Sequence, residues 1–271
     1  MPDLTMTRPL AALITLIALL VGGAGILPAD EMALQPAPVF TDHLVLQRDQ
    51  RVPVWGVAKP GTTITVTLGT ACGTGVTDAQ GAWRVEIGPL PVNSVPAVLS
   101  ITSDQGERRD LQDVLVGDVW VGSGQSNMQL PCASFIGHPN DPFISTVPDP
   151  NLEALVNGAP YPKVRLFATV MNNYPLPTAN LRWVPATTES LKTFSAQFTT
   201  MGVTLSQQLD VPVGFMLVAV GGSSVSRWLT PQSIADDPGC QQAVTKARAT
   251  FDPAKEQSAY QQSLPEPPYA I

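Results

Sequence analysis

The chemistry of this chain concentrates where a strand-forming run stops at a serine. Residues 114–130 read VLVGDVWVGSGQSNMQL. Val114, Leu115, Val116, Val119, Trp120 and Val121 favour an extended strand, and Gly122-Ser123-Gly124 breaks it. Gln125, Ser126 and Asn127 follow at the strand's expected end. A serine on a glycine-lined strand-to-helix turn can act as a nucleophile. Small neighbours allow close approach, and the helix start offers free backbone N–H groups to a developing oxyanion. An ordinary strand–turn–helix junction with Ser126 as N-cap has the same spacing, and on these residues alone both readings stand.

A second glycine turn, Gly221-Gly222-Ser223-Ser224, closes the continuous apolar run 213–220 (VGFMLVAV). Bounded by breakers, that run reads as a buried parallel strand. Before it, apolar residues at 194, 198, 201, 205 and 209 form a helical stripe, with Ser195 or Thr193 as caps and Asp210 and Pro212 as the stop. The strand 163–169 (KVRLFAT) precedes this helix, and a short helix is expected at 151–156. Strand, helix, strand implies a right-handed crossover in an α/β sheet. Ligands of such sheets lie beyond the carboxyl ends of the strands, so both glycine turns belong on one rim.

Residues 36–112 have another texture. Short runs recur at 39–46, 52–57, 62–68, 73–76, 83–87 and 98–101, punctuated by turns such as Lys59-Pro60-Gly61. In TTITVTL, Ile64, Val66 and Leu68 share one face. This predicts a small all-β sandwich over 36–112, ahead of an α/β domain over 113–271.

The composition supports this order: 44% hydrophobic, 14% charged, 27 prolines and 21 glycines suit a loop-rich β or α/β protein. A net charge of −7 with scattered cations excludes nucleic acid as the expected partner and favours neutral or weakly acidic ligands. Arg8, the twelve-residue apolar run 10–21 and the small residues Gly22, Gly23, Ala24, Gly25 and Ala29 form a secretory signal pattern over 1–29. The run is shorter than the roughly 20 residues of a membrane span, so export to the periplasm or medium is expected, with no membrane association after cleavage. Export permits disulfides, and Cys132–Cys240 is one candidate pair, with Cys72 left over. No His/Cys cluster has metal spacing and no glycine loop suits a phosphate, so no metal or cofactor is implied.

Four stretches resemble the sialate O-acetylesterase family of the SGNH (GDSL-like) hydrolases. FTDHLVLQRDQRVPVWGVAKPGTTITVTL (40–68) and DAQGAWRVEIGPLP (78–91) are similar to its opening β-domain; VLVGDVWVGSGQSNM (114–128) is similar to its nucleophile block. FSAQFTTMGVTLSQQLDVPVGFMLVAVGGSSVSRW (194–228) is similar to its next signature unit. The resemblance implies a flavodoxin-like α/β domain in which Ser126 attacks an acetyl ester on a sugar hydroxyl, forming an acetyl-enzyme that water hydrolyses. It implies the N–H groups of Ser126 and Gly222 as oxyanion donors, Gly222 being the position where a Cβ would crowd the tetrahedral intermediate. Gly221 shapes the turn, and Gln125 and Asn127 fix the nucleophile turn by hydrogen bonds. Trp228, six residues past Gly222, is a candidate surface for sugar stacking or a packing residue.

The chain also departs from the pattern. Ser123 stands where the family often has cysteine, and Phe198 where tyrosine is common, a packing position. The family's D-x-x-H segment and its Gln-Gly-Glu-rich block are absent before Ile271, so the expectation is a β-domain followed by the first half of a catalytic domain. His43 matches a structural position and His138 lies in the loop GHPND; neither has the order or spacing of the base, which stays unassigned. Asp118 occupies an acidic structural position and Asp210 a helix end. Three functions follow as expectations: an acetylesterase acting on an acetylated sugar or glycan, an inactive relative that binds such glycans, or an interaction domain in which Ser126 is a cap. A half-built sheet would also leave an apolar edge, so the chain is expected to associate.

Overall fold

The computed structural model describes residues 32–137, 148–171, 174–175, 180–223, 228–250 and 252. The signal-peptide reading of 1–29 lies outside them. Among the described residues no helix is long and apolar enough to cross a membrane. Gly25–Ser223 forms one compact unit, and the chain from Ser224 onward belongs to a second.

In the first unit the strands run β1 (Gln35–Pro36), β2 (Val45–Gln47), β3 (Val52–Val57), β4 (Thr63–Leu68), β5 (Ala71–Val76), β6 (Ala82–Ile87), β7 (Asn93–Ser103) and β8 (Arg108–Gly124). After helices α1 (Ser126–Gln129) and α2 (Pro150–Asn157) come β9 (Tyr161–Ala168) and the short pair β10 (Val170–Met171) and β11 (Tyr174–Pro175). β12 (Trp183–Ala186), α3 (Thr188–Thr193), α4 (Ala196–Leu209) and β13 (Val213–Ala219) complete it. One sheet has the order β12-β9-β13-β8-β7-β4-β5 with β2 also on β8; a second has the order β1-β3-β6.

Alternation explains the first core. In β4, Ile64, Val66 and Leu68 are buried while the threonines between them are only partly so. In β6, Trp83, Val85 and Ile87 are buried between exposed neighbours. These two faces, with Val54, Leu99, Ile101, Val114 and Val116, fill one apolar cluster between the sheets.

The second cluster is built differently. β13 pairs in parallel with β8 on one side and β9 on the other, as a continuous apolar run requires. Val213, Phe215 and Leu217 meet Leu152 and Val156 of α2, Leu191 of α3, and Phe198 and Val203 of α4. Each helix begins on a cap: Asp149 accepts the N–H groups of Asn151 and Leu152, Thr187 that of Ser190, and Ser195 that of Phe198. Asp210 ends α4 in a left-handed conformation (φ 55°), its carboxylate 2.6 Å from Lys163. β8 supplies Val114 and Val116 to the first cluster, runs on across residue 112, and pairs with β13 of the second.

The second unit contains α5 (Pro231–Asp236), capped by Thr230, and α6 (Pro238–Thr250), whose start is held by the Asp237 carboxylate accepting the Cys240 N–H at 2.7 Å. The sequence reading anticipated neither helix. The polar run of α6, PGCQQAVTKARAT, carries no apolar stripe to reveal it.

Candidate active site

Two strand ends make the candidate site. β8 and β13 run side by side with Ala219 opposite Gly124, and the Val220 N–H continues the pairing to the Gly124 carbonyl at 3.0 Å. The turn into α1 and the turn after β13 therefore leave adjacent strands at the same edge, as the sequence order requires.

Gly122 is a packing glycine. A Cβ there would lie 2.1 Å from Cζ of Phe198, whose buried ring also packs at a tilt against Phe215, 4.5 Å between centroids. Gly124 then turns the chain at φ +142°. The N-cap of α1 is Gln125 with no side-chain hydrogen bond, and Ser126 is the first helical residue. The N-cap reading of Ser126 is thus corrected by one position. As the first residue of the helix, Ser126 has a backbone N–H without an intrahelical acceptor, and its side chain is exposed.

Gln125 and Asn127 were expected to fix this turn, and the structure differs. Both are exposed, and neither side chain has a hydrogen-bond partner among the described residues. Gln129 does the fastening: its Oε1 accepts the Gly221 N–H at 2.5 Å. The sequence reading passed over Gln129. The available signal was its place three residues after Ser126, on the neighbouring position of the same helical turn.

The turn after β13 closes with the Ser223 N–H on the Val220 carbonyl at 3.1 Å. Gly222 sits in it at φ +71°, exposed, with nothing within 4 Å of where a Cβ would stand. Glycine is thus required here by backbone conformation and not by neighbouring protein atoms. Trp228 belongs to the second unit, where its side chain is 37% exposed.

His43 does not join Ser126. His43 Nδ1 lies 2.7 Å from Asp113 Oδ2, and Asp113 is held in turn by Arg165 at 3.0 Å. Asp113 precedes the ten steps of strand from Val114 to Gly124, about 33 Å of extended chain, so His43 sits at the far end of β8 from the serine. His138 lies outside the described residues. Asp118 pairs with Arg48 through both carboxylate oxygens, at 2.8 and 3.2 Å, a structural clasp.

The three cysteines are free. Cys132 is fully buried, donates to Thr199 Oγ1 at 3.2 Å, and has its thiol pKa pushed up by that burial. Among the described residues no three His, Cys, Asp or Glu side chains gather to hold a metal. An open groove beside α1 is lined by Met128, Phe135, Leu152, Phe198 and Met201 among others. Its largely apolar walls suit packing better than sugar hydroxyls.

No protein-family model matches the chain. Curated relatives do. The chain is 27% identical over 217 residues to sialate O-acetylesterases of Pongo abelii and Homo sapiens, covering 73% of this chain and 39% of each relative. It is 26% identical over 247 residues to the Rattus norvegicus sialate O-acetylesterase, covering 84% and 42%. Among solved structures, a carbohydrate acetylesterase from Xanthomonas citri superposes with a TM-score of 0.62 at 28% identity, over 74% of this chain and 43% of that one. The chain spans about two fifths of the length of these relatives.

Proposed function

We propose that this homologue of the sialate O-acetylesterases carries the nucleophile and two oxyanion donors of an exported carbohydrate O-acetylesterase. The observation that supports it is the register of β8 and β13, which sets the Ser126 turn beside the Gly222 turn, fastened by Gln129. Ser126 Oγ attacks the acetyl carbonyl, and the N–H groups of Ser126 and Gly222 donate to the resulting oxyanion. Collapse of that intermediate expels the sugar hydroxyl and leaves acetyl-Ser126, which water hydrolyses. Both steps need a base, since a serine hydroxyl is a poor nucleophile at neutral pH. His43 is excluded by its distance along β8. His138 is the other histidine of these 271 residues, and the base is unassigned.

In the same reading, residues 1–29 are a cleaved signal peptide, 36–112 a β-sandwich, and 113–271 an SGNH-type portion whose substrate is an acetylated glycan. β8 links the last two. Trp228 offers an aromatic face to a sugar. The alternative is an inactive relative that binds acetylated glycans, favoured by the lack of a histidine near Ser126 among the described residues.

The test is hydrolysis of p-nitrophenyl acetate by the 1–271 chain and by Ser126→Ala. Loss of at least about a hundredfold in rate is expected. Equal rates in the two proteins, with retained binding of an acetylated sugar, would replace the esterase reading by the binding one.

A further inference from the structure

The turn after β13 contains two successive glycine N–H groups, and the protein treats them differently. The Gly221 N–H is occupied by Gln129 Oε1 at 2.5 Å, a contact spanning 92 positions of sequence. Gly222 is exposed, and among the described residues its N–H has no acceptor. Gln129 is itself well fixed. Its own N–H reaches the Gln125 carbonyl at 3.0 Å, and Leu130 carries the chain into a short antiparallel contact with the start of α4. There the Leu130 carbonyl accepts the Ala196 N–H and the Phe194 carbonyl accepts the Cys132 N–H, both at 2.9 Å. Gln129 therefore reaches the β13 turn from a platform held by β8, α1 and α4 together.

We propose that Gln129 is the positioning residue of the oxyanion site: by taking the Gly221 N–H it fixes the turn so that Gly222, and not Gly221, presents its N–H beside Ser126. This rests on Ser126 being the nucleophile. It explains why a turn with two adjacent glycine donors offers only one, and why exposed Gln125 and Asn127 are not needed to hold it. A side-chain amide suits the task because it accepts at Oε1 without placing a negative charge next to an oxyanion.

The experiment uses the 1–271 chain, its Gln129→Met and Gln129→Ala variants, and sodium acetate, the expected product anion, as the probe. Backbone amide NMR during an acetate titration should move the Ser126 and Gly222 signals and leave Gly221 still. Gln129→Met keeps the side-chain length but removes the acceptor. It should weaken acetate binding about tenfold, or about 1.4 kcal/mol, and speed hydrogen exchange at Gly221 by a similar factor. In p-nitrophenyl acetate hydrolysis both variants should lose about tenfold in kcat with KM changed less than about twofold. A turn staple without an oxyanion role would alter thermal stability and leave acetate affinity and kcat as they are. That result overturns the proposal, as does a Gly221 signal that follows acetate in the unaltered protein. If the variants fold poorly, the unaltered protein's own titration still decides between Gly221 and Gly222. Failure of the nucleophile reading appears separately, as equal hydrolysis by the chain and by Ser126→Ala, while the acetate titration continues to score the role of Gln129.

Discussion

The two halves of β8 are one strand under opposite regimes. Around Leu115–Gly117 both of its edges are used: β7 lies on one and β2 on the other. Val114, Leu115 and Val116 are at most 2% exposed. From 118 to 124 only β13 pairs with it, and Trp120 and Val121 are 47% and 63% exposed. Hydrogen bonds show where the change occurs. The Leu115 N–H and Gly117 carbonyl face β2, whereas the Asp118 N–H turns to the Pro212 carbonyl on the β13 side. On the β2 side, Gln47 still reaches the Val119 N–H at 2.8 Å, and no described strand follows. Similar strand-forming residues thus build stability at one end and present an exposed serine at the other. Burial that would hold the far end more firmly would also cover the atoms proposed to react.

Substitutions at either end can break this contrast. The largest effect is expected at Gly117, the last residue of β8 that pairs with β2. A Cβ there would stand 1.9 Å from the Pro212 carbonyl oxygen, a backbone atom that cannot swing aside. Gly117→Ala should cost about 3 kcal/mol or more in urea unfolding; a cost under about 1 kcal/mol would mean that the β8–β13 crossing is looser than described. Next is Asp113→Asn, which leaves the Arg165 guanidinium, 4% exposed, without its carboxylate. A loss near 3 kcal/mol is expected, with ester hydrolysis unchanged because this cluster lies at the opposite end of the strand from Ser126. A fall in kcat without loss of stability would contradict that separation. The smallest folding effect, within about 0.5 kcal/mol, is expected for Val121→Lys on the open half. Its signature is in sedimentation: the parent chain should self-associate through an apolar strand edge, and the lysine should suppress it. A parent that sediments as a monomer removes the premise.

Much of the architecture was legible because periodicity depends on local chemistry. Ile64, Val66 and Leu68 alternate and face inward, the run 213–219 is apolar throughout and lies between two parallel strands, and the 194–209 stripe forms α4 with Ser195 as its cap. The glycines at 122, 124 and 222 marked both turns. What escaped depends on contacts distant in sequence. No local pattern says that β8 has three neighbours, that Gln129 reaches across 92 positions to Gly221, or that His43 spends its ring nitrogen on Asp113. Gln125 and Asn127 drew attention as neighbours of the serine, yet at a helix start such neighbours point to solvent unless something is brought to them. α5 and α6 were missed for want of an apolar face.

Gln47 and Arg48 also govern what the open half of β8 can accept. Gln47 occupies the Val119 N–H, and Arg48 places its own N–H on the Gly117 carbonyl and its guanidinium on Asp118. Together they act as a steric stop on that edge. Among the described residues no strand pairs with β8 on that side beyond Gly117, and Gln47 takes the next N–H, that of Val119.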